Sequence, residues 1–278
     1  MLINDLHHAC ERGQFVVHYQ PQVSTNSSAI TGFEALLRWN HPEHGLISPV
    51  QFIPLLEELG LIIEVGRWVL KTACRQNVKW QNAGLPPVRM AVNLSAHQFY
   101  RDDIVRTVQE ALRETGMDPQ WLELELTESL TLDDTETTIN TMHELKRLGI
   151  SLSLDDFGTG WSSLSYLRRF PLDRIKIDRS FIRDLSEPGS AAVVRSILSL
   201  AQNLDLACVA EGVETSEQLD YLQTQMCGEL QGFLYSPAVP EHECIELMRR
   251  GKPEFITLPN GTGAIMTEQL VGTHPGLS

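Results

Sequence analysis

The strongest constraint on the fold is an alternation of short apolar runs of strand character with capped helical segments. The runs fall at residues 15–21, 30–39, 88–94, 121–126, 151–156, 174–178, 207–210 and 230–235. Residues 1–14 form a short amphipathic helix before the first of them, and Pro21 is expected to end or edge that strand. Ser48-Pro49-Val50-Gln51 combines an N-cap serine, a first-turn proline and a glutamine at the third position, a strong helix start. Leu55, Leu56, Leu59, Ile62 and Ile63 then recur at helical spacing to about residue 82, with a break at Gly60. Ser95-Ala-His-Gln98 and Thr215-Ser-Glu-Gln218 repeat the capping pattern, and the helix opened by Ser95 is closed by Gly116. Helices are expected at 135–148, near 162–169, at 191–204 and at 241–250.

About eight strands alternating with helices in roughly 250 residues predict an α/β fold, a parallel (β/α)8 barrel of the TIM type. The connection 23–29 is too short for a crossover helix, so the first strand is expected antiparallel to the second. The domain is expected to span 1–251. Residues 252–278, rich in Gly, Pro and Thr, read as a mobile tail.

In such a barrel the chemistry sits at the carboxyl ends of the strands. The second strand places Glu34 and Arg38 there, the third Asn93, the fourth Glu125 with Glu128 just past it. The fifth ends in Asp155-Asp156 and runs into Gly158-Thr-Gly160; the sixth carries Lys176, the seventh Glu211, the eighth Gln231. Strand parity puts Asp155 on the face of Ser153 and Asp156 on the face of Leu154, so the two acids diverge. Any one of these is an ordinary polar strand end. Polar type and fold position coincide on seven strands, which points to a ring.

Five carboxylates (Glu34, Glu125, Asp155, Asp156, Glu211) and Lys176 leave a formal charge of about −4, which two divalent cations would neutralise. Carboxylates with the Asn93 carbonyl suit Mg2+ or Mn2+, not zinc, for which His and Cys ligands are missing. Paired hard cations suit attack of water on a phosphodiester. His41-Pro-Glu-His44 has metal-like spacing but reads as a solvated turn, and Gly158-Thr-Gly160 as a hinge, too short for a dinucleotide fingerprint.

Composition bounds the partners. The 278 residues are 42% hydrophobic and 21% charged, enough for one large core. The formal charge of −14 argues against binding to a nucleic acid polymer or an anionic membrane, which need a basic field. Five scattered cysteines suggest neither a disulfide framework nor a zinc site, and a reducing compartment is the simpler reading. No apolar run approaches the roughly 18 residues of a membrane span, and residues 1–15 lack the apolar centre of a signal peptide, so a cytoplasmic location is expected.

The chain resembles the EAL domain family of cyclic-di-GMP phosphodiesterases. The motifs are Tyr19-Gln-Pro21, Glu34-Ala-Leu-Leu-Arg38, Asn93-Leu-Ser95, Glu125-Leu-Thr-Glu128, Asp155-Asp-Phe-Gly-Thr-Gly160, Lys176-Ile-Asp178, Ala210-Glu-Gly-Val-Glu214 and Gln231-Gly232. Trp161 stands where Tyr is usual, and Gly228 where an acid is common.

The resemblance implies a modified barrel that hydrolyses cyclic di-GMP to linear pGpG with two Mg2+ or Mn2+ ions. It implies Glu34, Asn93, Glu125, Asp155 and Asp156 as metal ligands, with Glu211 at or beside the second ion. By the same likeness Lys176 holds or activates the attacking water, and Gln20, Leu37, Arg38 and Gln231 contact substrate. Glu128, Gly158, Gly160 and Glu214 support the loop after Asp156, which in such domains takes part in dimerisation and control, so a homodimer is expected. The base is open between Lys176, Glu211 and a water bridging the ions. A sensor or cyclase domain is expected in a longer parent protein. The alternative is a catalytically silent cyclic-di-GMP receptor acting through a protein partner.

Overall fold

Among the described residues nine stretches pair into one sheet: β1 (Phe15–Ser24), β2 (Ile30–His41), β3 (Gly45–Ile47), β4 (Arg89–Leu94), β5 (Leu122–Thr127), β6 (Ser151–Phe157), β7 (Arg174–Ile177), β8 (Ala207–Glu211) and β9 (Glu229–Gln231). They come from a computed structural model that describes residues 2–9, 11–128, 135–159 and 167–250. The order is β1-β9-β8-β7-β6-β5-β4-β2-β3, and a β1–β2 pairing closes eight strands into a barrel with β3 as a hairpin extension of β2. As expected, β1 runs antiparallel to β2, and also to β9, while the remaining barrel pairs are parallel.

The helices are α1 (Leu2–Ala9), α2 (Pro49–Glu58), α3 (Ile62–Asn82), α4 (Ala96–Arg101), α5 (Ile104–Thr115), α6 (Thr135–Arg147), α7 (Arg179–Arg183), α8 (Pro188–Asn203), α9 (Ser216–Thr224) and α10 (Glu241–Arg250). None among the described residues is long and apolar enough to cross a membrane. The helix expected near 162–169 falls mostly outside the described residues, as do Gly160, Trp161 and the segment 252–278.

Several local expectations change. Pro21 lies inside β1, paired with Phe33. Its nitrogen shares the side of Tyr19, whose N–H leaves β2 for Val239, while the β1–β9 ladder engages only Val23 and Ser24, so the missing donor costs no bond. Ser48 is an extended N-cap whose side chain makes no capping bond; Pro49 starts α2 without it. The capping boxes at Ser95 and Thr215 do form. The helix expected from Ser95 to Gly116 breaks into α4 and α5, because Asp102 turns to Arg67 and Thr107 and Asp103 caps the N–H of Arg106 at 3.2 Å.

The last strand stops at Gln231 instead of reaching Tyr235. A Cβ on Gly232 would collide with the carbonyl of Val213, and the chain turns there as Val213 N–H donates to Gln231 O and Leu234 N–H to Val213 O. This pins the loop after β8 to the turn after β9.

Strand parity separates two cores. Leu124, Leu126, Leu154, Ile175 and Ile177 face the helices and are buried. The barrel interior is polar. At its amino end Arg174 donates to Glu123 (3.0 Å) and Glu229 (2.8 Å), and Arg89 to Glu229 (2.7 Å), so two cations balance two carboxylates. Satisfying such ions needs every partner, since a lone buried charge is strongly destabilising.

Candidate active site

Lys176 is the hub of the carboxyl-end layer. It sits on β7, is fully buried, and its Nζ lies 2.6 Å from Glu211, 2.7 Å from Glu125, 3.2 Å from Asp155 and 3.5 Å from Glu34. These four residues come from β8, β5, β6 and β2. The parallel register aligns them: Asn93 pairs with Glu125, Glu125 with Ser153, Lys176 with Val209 and Glu211 with Gln231. On the far side of Glu34, Asn93 Nδ2 donates to Oε1 at 2.6 Å and Gln231 Nε2 to Oε2 at 2.6 Å.

Asp156 joins the ring by a route that parity does not allow. Between Leu154↔Ile175 and Phe157↔Ile177 the register slips, so Asp155 and Asp156 together oppose Lys176, a β-bulge. Asp156 adopts a left-handed φ of 54°, a conformation Asp tolerates better than most residues. Both acids consequently serve one cluster. Asp155, Asp156 and Glu211 offer oxygens within 4.8 Å of one another. The expectation that the two carboxylates diverge is corrected by this bulge.

The electrostatics follow from burial and crowding. Burial disfavours the charge of Glu34, but Lys176 and the donors Gln231 and Asn93 prevail and hold its carboxyl below the usual range. Burial and the neighbouring Glu34 push Glu125 well above it. Burial, reinforced by Asp155 and Glu34 against the pull of Lys176, raises Glu211 to about 8. Asp156 rises to about 6 through burial, Asp155 and Asp178. Burial opposes the charge of Lys176, yet Glu125, Glu211, Glu34 and Asp155 keep its proton held well above the ordinary lysine range.

The donor set fits hard divalent cations. Glu125 Oε1 is buried without a hydrogen-bond partner, a costly state for a carboxylate oxygen. Asn93 spends its Nδ2 on Glu34, which leaves its carbonyl oxygen available as a ligand. All candidate ligands are oxygens, as Mg2+ and Mn2+ prefer.

The remaining residues surround this ring. Glu128 is buried, and its Oε2 accepts the Gly158 N–H at 3.2 Å. Gly158 has φ +100°, and a Cβ there would lie 2.9 Å from Phe181. Glu214 is exposed, and its backbone N–H donates to Gln218 at 2.7 Å. Gln20 accepts from Gln231 at 3.0 Å and donates to Ser236 O at 3.2 Å, so both amides are engaged inside the protein. Arg38 is half-buried and donates to Leu37 O at 3.0 Å. Leu37 lines a groove of about 750 Å³ that opens beside Asn93 and Asp156, with Ile53, Ile62 and Val65 on its apolar wall. His41 does not lie in a solvated turn: it is buried, and its Nδ1 accepts the N–H groups of Glu43 and His44.

Sequence reasoning passed over Asp178 as a site residue. It caps α7 by accepting the Ser180 N–H at 3.0 Å, and it also reaches the carboxyl of Asp156. An Asp before a short helix reads as a cap, and only the bulge in β6 brings Asp156 to it. Arg89, Glu123 and Glu229 likewise give no sign in the sequence of belonging together, because each comes from a different strand.

A barrel whose mouth gathers acids around a buried lysine, open to a groove, defines a class: an enzyme-type site at the carboxyl ends of barrel strands whose oxygen donors could hold a metal ion. The chain belongs to the EAL domain family, whose profile matches residues 3–238. It is 45% identical over 245 residues to the bifunctional diguanylate cyclase/cyclic di-GMP phosphodiesterase MucR of Pseudomonas aeruginosa, covering 88% of this chain and 36% of that protein. It is 41% identical to the cyclic di-GMP phosphodiesterase PdeR of Escherichia coli over 240 residues, covering 86% and 36%. The chain thus spans about a third of the length of these relatives. Among solved structures it resembles the MucR phosphodiesterase of Pseudomonas aeruginosa in complex with c-di-GMP, with TM-score 0.85, 45% identity and coverage of 87% and 99%. It also resembles the Xanthomonas citri FimX EAL domain in complex with c-di-GMP, with TM-score 0.77, 26% identity and coverage of 86% and 93%.

Proposed function

We propose that this chain hydrolyses one phosphodiester of cyclic di-GMP to linear pGpG, with two divalent cations, Mg2+ or Mn2+, held by the ring. The observation that carries the reading is the convergence of Glu34, Glu125, Asp155 and Glu211 on Lys176 within 3.5 Å, at the mouth of a barrel whose relatives are named for this activity. Glu34, Asn93, Glu125 and Asp155 would hold one ion, and Asp155, Asp156 and Glu211 the other, Asp155 being shared. When bound, such ions lower the pKa of water and stabilise the leaving oxygen.

The protein's own residues do the rest. Lys176, which keeps its proton, acts as a donor that orients the attacking water and stabilises charge developing on the phosphate. Leu37 and the apolar groove wall receive a guanosine half of the substrate, and Arg38 offers a guanidinium to its acceptors. Gln231 holds the edge of Glu34, and Gln20 braces Gln231 by accepting from the same amide nitrogen. Glu128 ties Gly158, and with it the loop that carries Asp156, to the end of β5.

Incubating the purified chain with cyclic di-GMP and Mg2+ or Mn2+ should yield pGpG, resolved by chromatography, and chelation should stop it. Failure to form pGpG with metal demonstrably bound would overturn the assignment; tight binding without turnover would mark a receptor instead.

A further inference from the structure

Gln22 is buried on β1 beneath the ring, and none of the chemistry above uses it. A side-chain amide has one accepting and one donating end, so among fixed partners only one orientation avoids setting like against like. Here the orientation is dictated from both sides. Below, Arg89 can only donate: its NH2 donates to Gln22 Oε1 at 3.0 Å and to Glu229 Oε2 at 2.7 Å. Gln22 therefore turns Nε2 upward, to Gln231 Oε1 at 3.2 Å. Gln231 must then send its own Nε2 to Glu34 Oε2 at 2.6 Å and Gln20 Oε1 at 3.0 Å. Above, the Ser236 carbonyl can only accept, and it takes Gln20 Nε2 at 3.2 Å, leaving Gln20 Oε1 for Gln231. The two polarities meet at Gln231 without conflict.

We infer that Arg89, Gln22 and Gln231 form a directional relay that fixes the Gln231 amide with its donor on Glu34, which makes Gln22 a positioning residue for a carboxylate it does not touch. The inference rests on the reading of Glu34 as a ligand in a metal-dependent phosphodiesterase site. Its consequence is that position 22 tolerates loss of hydrogen bonding better than reversal of it. In Gln22→Met the Gln231 amide loses one partner but keeps its orientation, because Glu34 and Gln20 still call for a donor. In Gln22→Glu the carboxylate, ionised beside Arg89, can only accept. Gln231 then meets acceptors on both sides, so every orientation of its amide sets like against like and its donor to Glu34 is no longer held without opposition.

The test measures Mn2+ affinity by calorimetry, thermal unfolding and cyclic di-GMP turnover on the full chain. Q22E should bind Mn2+ about tenfold or more weakly than wild type, the scale of an outer-shell change at a metal site, and Q22M within about threefold. Q22E should nonetheless unfold no lower than Q22M. A packing role predicts affinity that follows unfolding temperature, and an added negative charge acting through space predicts tighter binding; either result overturns the relay. Should Q22E not fold, the wild-type Gln231 side-chain amide decides by NMR. In wild type one slowly exchanging pair of proton signals is expected, and in Q22M a pair that exchanges measurably faster; equal exchange in the two, or a doubled or averaged pair in wild type, overturns the inference. Wild-type protein that binds no Mn2+ would sink the phosphodiesterase reading, while the amide signals would still test the relay.

Discussion

Asp155 and Asp156, neighbours in a strand, deliver their carboxylates to the same cluster because the bulge opposite Lys176 lets Asp156 turn at φ 54°. The arrangement gathers ligands at the expense of stability in the metal-free protein, since Asp156 faces both Asp155 and Asp178. Asp156→Asn keeps a residue that tolerates the left-handed region and removes the charge. It should raise the unfolding temperature of metal-free protein and weaken Mn2+ binding by at least about tenfold. Differential scanning calorimetry with and without Mn2+ checks both signs; an unchanged metal affinity would remove Asp156 from the ligand set.

Protonation gives a second expectation. Glu211 and Asp156 have folded pKa values near 8 and 6, raised above their ordinary 4.5 and 3.8. The folded protein therefore binds more protons than the unfolded chain across this window, and the stability of metal-free protein falls as pH rises from about 4 toward 8. Cations displace those protons, so Mn2+ affinity should rise over the same range. Titrations in buffers of different ionisation enthalpy should show proton release near pH 6.5. Uptake, or no exchange, would contradict the raised carboxyls.

How far the chain disclosed this site depends on where the information lies. Asn93, Glu125, Lys176 and Glu211 each end a strand of clear period, so parity and the barrel rule place them together. Asp156 breaks parity through a bulge, and nothing in Leu-Asp-Asp-Phe marks the extra residue until the partner strand is known. Pro21 reads as a strand end because the empty side of β1 is a tertiary fact. Gly232 reads as part of a strand because the backbone of Val213 lies 19 residues away in the sequence. Gln22, Arg89, Glu123, Arg174 and Glu229 carry no local signal, since their meaning is their pairing across the barrel floor.

Lys176 is the cation that Glu34, Glu125, Asp155 and Glu211 share, so its loss should leave four converging acids without it. Lys176→Met keeps much of the volume and removes the charge. Breaking a buried ion pair costs about 3–5 kcal/mol, offset here where the carboxyls take up protons, so metal-free K176M should lose more stability at pH 8 than at pH 5. Saturating Mn2+ should restore a large part of it while turnover stays absent. Denaturant unfolding at the two pH values decides this; a loss independent of pH would show that packing, not charge, is the issue.

The turn after β9 supplies a prediction remote from any titrating group. Gly232 has backbone atoms of Val213 where a Cβ would go, whereas the nearest atom to a Cβ on Gly228, four residues earlier, is Cys208 O at an ordinary 3.9 Å. Gly232→Ala must therefore part the turn from the loop after β8, straining the bonds from Val213 N–H to Gln231 O and from Leu234 N–H to Val213 O. Overpacking of this kind costs about 1–3 kcal/mol, and because the loop begins at Glu211 the change should reach the ring. G232A should lose both stability and Mn2+ affinity, and G228A should change neither by more than about 0.5 kcal/mol, the usual limit for a substitution that disturbs no contact. Equal unfolding temperatures for the two variants would show that the loop yields without effort, and intact Mn2+ binding in a destabilised G232A would separate the turn from the position of Glu211.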